Sequence, residues 1–198
     1  MNMVFQKIVY FSLVLSVSLH CGVSPEIASR PTFWAKKMQN TEFNNLYSVD
    51  DNLFRSDQPS KYGMKELEKI GIKTVLSVRN LRNDKAEVKG TNIKLSQYRI
   101  NTWTINYKEV VEALKIIKES PKPVLIHCKH GSDRTGCIVA AYRIAFQNWT
   151  KEEAINEFLG GGFGYHEDIF KNVLRLIKNI DVEKLKSDLN IKIINQGM

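Results

Sequence analysis

A chain of 198 residues that is 43% hydrophobic and 25% charged has an ordinary globular composition, enough for one well-filled core and too short for two comfortable domains. Its formal net charge of +8 favours anionic partners, whether phosphorylated substrates, nucleic acid or a membrane surface. Lys7 is the sole charged residue among the first twenty, so the part that folds is basic by itself.

The N-terminus reads as a targeting segment. The uncharged run "IVYFSLVLSVSL" from Ile8 to Leu19 is too short to span a bilayer and fits the apolar region of a secretory signal. We expect residues 1–20 to be a signal peptide, 21–30 a short linker and 31–198 one folded domain, with the protein exported. Ser16 and Ser18 offer the small residues of a cleavage site. Alternatively, Cys21 in "SLHCG" is the lipid-carrying cysteine of a membrane-anchored lipoprotein, although His20 is bulky for that position. The destination is then the periplasm or its membrane surface.

Beyond the linker, strands and helices alternate. "NLFRS" (Asn52 to Ser56) is a short strand. In "SKYGMKELEKIGI", Met64, Leu67 and Ile70 share one helical face, with Ser60 near the N-cap and Gly71 as a stop. "KTVLSVR" suits a buried strand, Asn80 to Thr91 a polar loop, and "NIKLSQYRI" a third strand. "NYKEVVEALKIIKES" places Val110, Val111, Leu114 and Ile117 in helical register and ends before Pro121 and Pro123. "PVLIHC" is continuously apolar, the pattern of a strand buried on both faces. Helices are predicted from Arg134 to Gln147, Lys151 to Leu159, His166 to Asn179 and Asp181 to Leu189. The predicted fold class is α/β, a central mostly parallel sheet flanked by helices.

In such a sheet the ligand crevice lies at the carboxyl ends of the strands, where "VLIHC" ends. Residues Cys128 to Thr135 then form a tight loop feeding a helix N-terminus. Its inward N–H groups and the helix dipole make a socket for a tetrahedral oxyanion. Arg134 adds a two-pronged donor that matches phosphate oxygens, and the same positive field favours the thiolate of Cys128. The rival readings are weaker. "GSDRTG" lacks the Lys-[ST] of an NTPase loop, and His127, Cys128 and His130 lack a second cluster to complete a metal site, His166 alone being insufficient. A disulfide between Cys128 and Cys137 is retained only as a reversible side state. "GGGFG" (Gly160 to Gly164) follows a helix and reads as its stop and turn. Trp34, Trp103 and Trp149 read as core or rim packing, Arg79 as a structural ion pair or a group at the substrate entrance, and Arg55 as a partner for an acidic residue in the core.

"HCKHGSDRTG" resembles the H-C-x5-R-[ST]-G signature of the protein tyrosine and dual-specificity phosphatase superfamily. Together with "NLYSVDDNLFRSDQPSKYGMKELEKIGIKTVLSVR" and "NWTKEEAINEFLGGGFGYH" it is similar to a bacterial group of exported dual-specificity-like phosphatases, over Pro31 to Leu185. The resemblance implies a phosphomonoester hydrolase whose nucleophile, Cys128, forms a cysteinyl-phosphate, with Arg134 as phosphate clamp. Thr135 would assist the departing thiolate and His127 would brace the loop. Lys129, His130, Gly131, Ser132, Thr135 and Gly136 would line the substrate socket. It implies no cofactor, no metal and no nucleic-acid partner, a monomer, and membrane association only through a lipid anchor. The substrate is a phosphoprotein or, alternatively, a phosphoinositide or inositol phosphate; a phosphate-binding module without catalysis is the third reading.

The family's usual acid, an aspartate on a loop well upstream of the cysteine, has no counterpart, because no aspartate lies between Asp84 and Asp133. Asp133 resembles the aspartate to which myotubularin-type enzymes assign this role and is the candidate acid, with a loop brace as the competing reading. Glu109 and Asp84 are the reserves.

Overall fold

Two four-residue strands buried at every position organise the chain: β4 (Thr74–Ser77) and β6 (Val124–His127). A strand with no solvated face needs cover on both sides, which parallel pairing with crossover helices provides. In the computed structural model, which describes residues 30–191, these two strands lie side by side and parallel. The expected signal peptide and Cys21 lie outside the described residues. Flanking the central pair are β3 (Leu53–Ser56), parallel to β6, and β5 (Lys94–Gln97), parallel to β4. Two short antiparallel strands, β1 (Lys36–Lys37) and β2 (Tyr47–Ser48), extend the β3 edge, so the six-stranded order is β1-β2-β3-β6-β4-β5. These two-residue strands carry no periodicity and escape the sequence reading. The mostly parallel sheet flanked by helices is as expected.

Alternate side chains of the central strands serve two cores. Val75 and Leu125 point to the side covered by α1 (Lys61–Lys69), where they meet Met64, Leu67 and Ile72. Leu76, Val124 and Ile126 face the larger side, built from α2 (Tyr107–Glu119), α3 (Asp133–Phe146), α4 (Lys151–Gly160), α5 (Lys171–Lys178) and α6 (Val182–Asp188). The helix starts carry their own signals. Ser60 caps α1, and capping boxes of Asn106 with Glu109 and of Thr150 with Glu153 open α2 and α4. Helix α3 is buried from Thr135 to Ala145, and its Arg143 makes paired bonds of 2.6 and 2.8 Å to Glu157 of α4. The Arg143 guanidinium also lies 4.2 Å from the Trp149 ring centre. Removing either partner would strand a buried charge, a loss of about 3–5 kcal/mol.

One helix boundary differs from expectation: α5 starts at Lys171 and not at His166. Residues 166–170 form a turn closed by Phe170 N–H to His166 O at 2.9 Å, and the Tyr165 hydroxyl donates to Phe170 O at 2.7 Å. His166 is thereby released from helical geometry and reaches the start of α3.

Candidate active site

The parallel pairing of β6 between β3 and β4 delivers Cys128 to the carboxyl end of the sheet, and α3 begins five residues later. The turn between them is held from outside by its carbonyls. His127 Nδ1 donates to Cys128 O at 3.1 Å and the Gln58 N–H to Lys129 O at 3.2 Å. Asn45 Nδ2 donates to His130 O at 2.7 Å, and Arg55 Nη2 to Gly131 O at 2.5 Å. With four successive carbonyls turned outward, the amide N–H groups face the opposite way, and those of Lys129 to Arg134 donate to no acceptor among the described residues. Ser132, at the N-cap of α3, makes no capping bond with its side chain, which instead donates to Phe163 O at 2.8 Å. The first turn of the helix thus leaves its donors and its dipole to the concavity.

Gly131 has φ +73°, and a Cβ there would come within 2.6 Å of the Ser56 carbonyl, so the loop closes against β3 only with glycine. Arg55 is the buttress beneath it. Its guanidinium is 3.6 Å from the centre of the Phe163 ring, and burial draws its pKa down to about 10. The expected acidic partner for Arg55 is replaced by the Gly131 carbonyl, because the nearby Glu157 is engaged by Arg143. Gly136 serves the same packing, since a Cβ there would approach Phe158 to 2.5 Å.

His127 is completely buried, and its second ring nitrogen meets Asp84 at 2.9 Å. Burial alone would raise the Asp84 carboxyl. Hydrogen bonds from His127 and Gln58, with the His127 charge, outweigh burial and hold it below its ordinary value. The polar loop after β4 thereby supplies the brace for His127. Arg79, half-buried, donates to Gln58 Oε1 at 3.0 Å in the same network. It has no acidic partner among the described residues, so the ion pair expected for it is replaced by this amide contact.

Cys128 is 1% exposed and free. Arg134 reaches Ile100 O at 3.4 Å through Nη1, while its buried Nε has no partner among the described residues. The Thr135 hydroxyl is also buried and unpaired there. Unsatisfied buried donors are rare enough to need a reason, and a bound oxyanion provides one. Lys129 and His130 are exposed at the mouth; desolvation, and then the Lys129 charge, push His130 below its ordinary value. Cys137 is also a free, buried thiol, pushed by burial up to about 12 and therefore a poor thiolate.

Asp84 is fully buried under His127, and Glu109 is bound into the cap of α2. Asp133 stands at the start of α3, 4% exposed, and accepts from the His166 N–H at 3.0 Å and lies 3.1 Å from its Nδ1. His166, set aside in the sequence as an isolated residue, is therefore part of the site. Trp103 is 65% exposed and packs edge-on against Phe170 beside that turn, with ring centres 4.9 Å apart.

A free, buried thiol followed by a loop whose amides have no acceptor among the described residues, and then by Arg134 and Thr135, is what the structure sets at the carboxyl end of β6. Residues 41–197 match the family described as "Tyrosine phosphatase family". The chain belongs to that family. It is 31% identical over 161 residues to the dual specificity protein phosphatase TpbA of Pseudomonas aeruginosa, covering 80% of this chain and 72% of that protein. It is 30% identical to the inositol diphosphatase DSP5 of Arabidopsis thaliana, covering 73% and 74% of the two chains. Among solved structures, a cysteine-to-serine form of P. aeruginosa TpbA in complex with pTyr superposes with a TM-score of 0.74 at 30% identity, over 82% of this chain and 99% of that one. The catalytic core of the S. cerevisiae PP-IP phosphatase Siw14 superposes with a TM-score of 0.62 at 25% identity, over 74% and 93%.

The residues of the loop are contiguous in the sequence, whereas its supports come from distant segments. "FRSDQPS" and "GGGFG" are legible as turns. That the first supplies Arg55 and Gln58 and the second Phe163 as loop braces is a tertiary fact. Asn45, which ties His130 O to Phe163 O, carries no sequence signal.

Proposed function

We propose that the chain hydrolyses phosphomonoesters on proteins, phosphotyrosine foremost, through a cysteinyl-phosphate on Cys128. The observation that carries this reading is the run of donors with no partner among the described residues, the amides of Lys129 to Arg134 with Arg134 Nε, directly following one buried thiol. A phosphoryl group seated there has its equatorial oxygens bound by the amides and the Arg134 fork. The Cys128 thiolate attacks phosphorus; the S–P bond forms, the P–O bond breaks, and the leaving oxygen takes a proton. Water then attacks the phosphocysteine, inorganic phosphate departs, and the Thr135 hydroxyl donates to the released thiolate. His127 and Gly131 position the loop and need not touch substrate.

For the proton we assign Asp133, hydrogen-bonded to His166. Asp84 and Glu109 are committed elsewhere, whereas Asp133 heads α3 directly after the loop and is bonded to His166. It protonates the leaving oxygen in the first step and takes a proton from the attacking water in the second. The protein acts outside the cytoplasm as a monomer, either released or anchored through Cys21; loss of metabolic lipid labelling in Cys21→Ala would support the anchor.

A second reading, inositol phosphate or phosphoinositide hydrolysis, is favoured by exposed Lys129 and His130 on the loop itself and by the likeness to DSP5. The test is turnover of phosphotyrosine peptides against phosphoinositides and inositol phosphates, under reductant, with Cys128→Ser as the blank. A preference for phosphopeptides supports the first reading and a preference for inositol compounds the second. Turnover by Cys128→Ser within about tenfold of the parent would refute both, because a serine hydroxyl is not ionised by this field.

A further inference from the structure

Three potential metal ligands converge at the rim of the socket. One nitrogen each of His130 and His166 and one carboxylate oxygen of Asp133 lie within 4.8 Å of one another. We propose that His130, Asp133 and His166 form a binding site for a borderline divalent transition metal, Zn2+ first, and that occupancy inhibits the phosphatase. The donor set, two imidazoles and a carboxylate, is one that Zn2+, Co2+ and Ni2+ accept, with a fourth position left for water.

Metal–ligand bonds of about 2.0–2.2 Å place tetrahedral donors about 3.4 Å apart, so the widest separation must shorten by up to about 1.4 Å. One ligand is free to move and two are already set. His130 is exposed and its ring makes no hydrogen bond among the described residues; its centroid lies 5.5 Å from that of His166. Asp133 Oδ1 is fixed by the His166 N–H at 3.0 Å, and the His130 backbone is fixed by Asn45 at 2.7 Å. Such supporting bonds orient ligands before an ion arrives. The ordinary account, an Asp–His hydrogen bond, explains Asp133 and His166 but leaves the placement of His130 unaccounted for. Helices α3 and α4 separate His130 from His166 along the chain, and the turn at 166–170 that replaces the predicted helix start is what brings the second imidazole in.

An ion held here withdraws Asp133 from proton transfer and pins the exposed side chain of the loop, so turnover falls. That inhibitory consequence rests on the phosphatase reading; the binding itself does not. The decisive experiment uses untagged, metal-free Cys128→Ser protein, in which no active-site thiolate can capture the ion. Co2+ is titrated by visible absorption and Zn2+ by calorimetry, in that background and with His130→Ala or His166→Ala added to it. One ion per chain is expected, with each imidazole deletion weakening binding by at least about tenfold. Because His130 is exposed, His130→Ala should keep the fold, which circular dichroism checks. Absence of binding, or equal affinity in His130→Ala, would overturn the proposal. Turnover of the Cys128-containing protein in chelator is measured separately: activity without metal binding sinks the site alone, and metal binding without activity sinks the phosphatase reading alone.

Discussion

Replacing Gly131 with alanine separates the geometry of the phosphate loop from its mere presence. At φ +73° an alanine sits in the left-handed region, at a cost of about 1–2 kcal/mol. Its Cβ would also lie 2.6 Å from the Ser56 carbonyl carbon and oxygen. Both contacts are backbone, so no side chain can swing aside, and reaching an ordinary 3.4 Å separation moves the loop by about 0.8 Å at an overpacking cost of about 1–3 kcal/mol. The combined loss of about 2–5 kcal/mol lowers Tm by about 4–20 °C for a domain of this size. A displacement near an ångström at the reacting atoms costs about a hundredfold in rate. Gly90→Ala is the control: φ is +87° there with nothing within 4 Å of the new Cβ, so it should lose the strain energy alone and keep its activity. The assay is kcat/KM on a phosphotyrosine peptide beside a calorimetric Tm for each variant. If Gly131→Ala keeps kcat/KM within about threefold of the parent, or if both variants lose activity equally, the loop is not held against β3 in the way described.

Asp133→Asn retains an oxygen for the His166 N–H, so the brace survives while the proton is lost. It should slow phosphotyrosine or alkyl phosphate hydrolysis by about a hundredfold or more, slow an activated nitrophenyl phosphate far less, and flatten the basic limb of the pH–rate profile. Equal slowing of all substrates would assign Asp133 to bracing alone. Asp84→Asn should destabilise by about 1–3 kcal/mol near neutrality, since a buried charged hydrogen bond to His127 is weakened. The Asp84 carboxyl is held below its ordinary value in the folded state, so its contribution is complete above the unfolded value and is lost as pH falls through the folded one. Parent and variant should therefore draw together in urea unfolding as pH falls below the ordinary carboxylate value of about 3.9; a difference independent of pH would refute the role of the Asp84 charge.

Much of this protein is legible in one dimension, because local chemistry decides it. Periodicity places α1 and α2, Ser60 caps α1 where a short polar side chain meets free amides, and the unbroken apolar runs of β4 and β6 require a sheet covered on both faces. The socket is legible for the same reason: Cys128, Gly131, Arg134 and Thr135 lie within eight residues, so one turn and one helix start position them. What the tertiary structure decided is everything that steadies or tunes that turn. Asn45, Arg55, Gln58, Asp84 and Phe163 come from separate places in the chain, and each reaches the loop or its brace through a hydrogen bond or ring contact. His166 joins Asp133 only because the chain turns at 166–170 before entering α5. Contacts of this kind leave no periodicity, since a lone donor meeting a distant carbonyl depends on how helices and strands pack and not on any property of its neighbours in sequence.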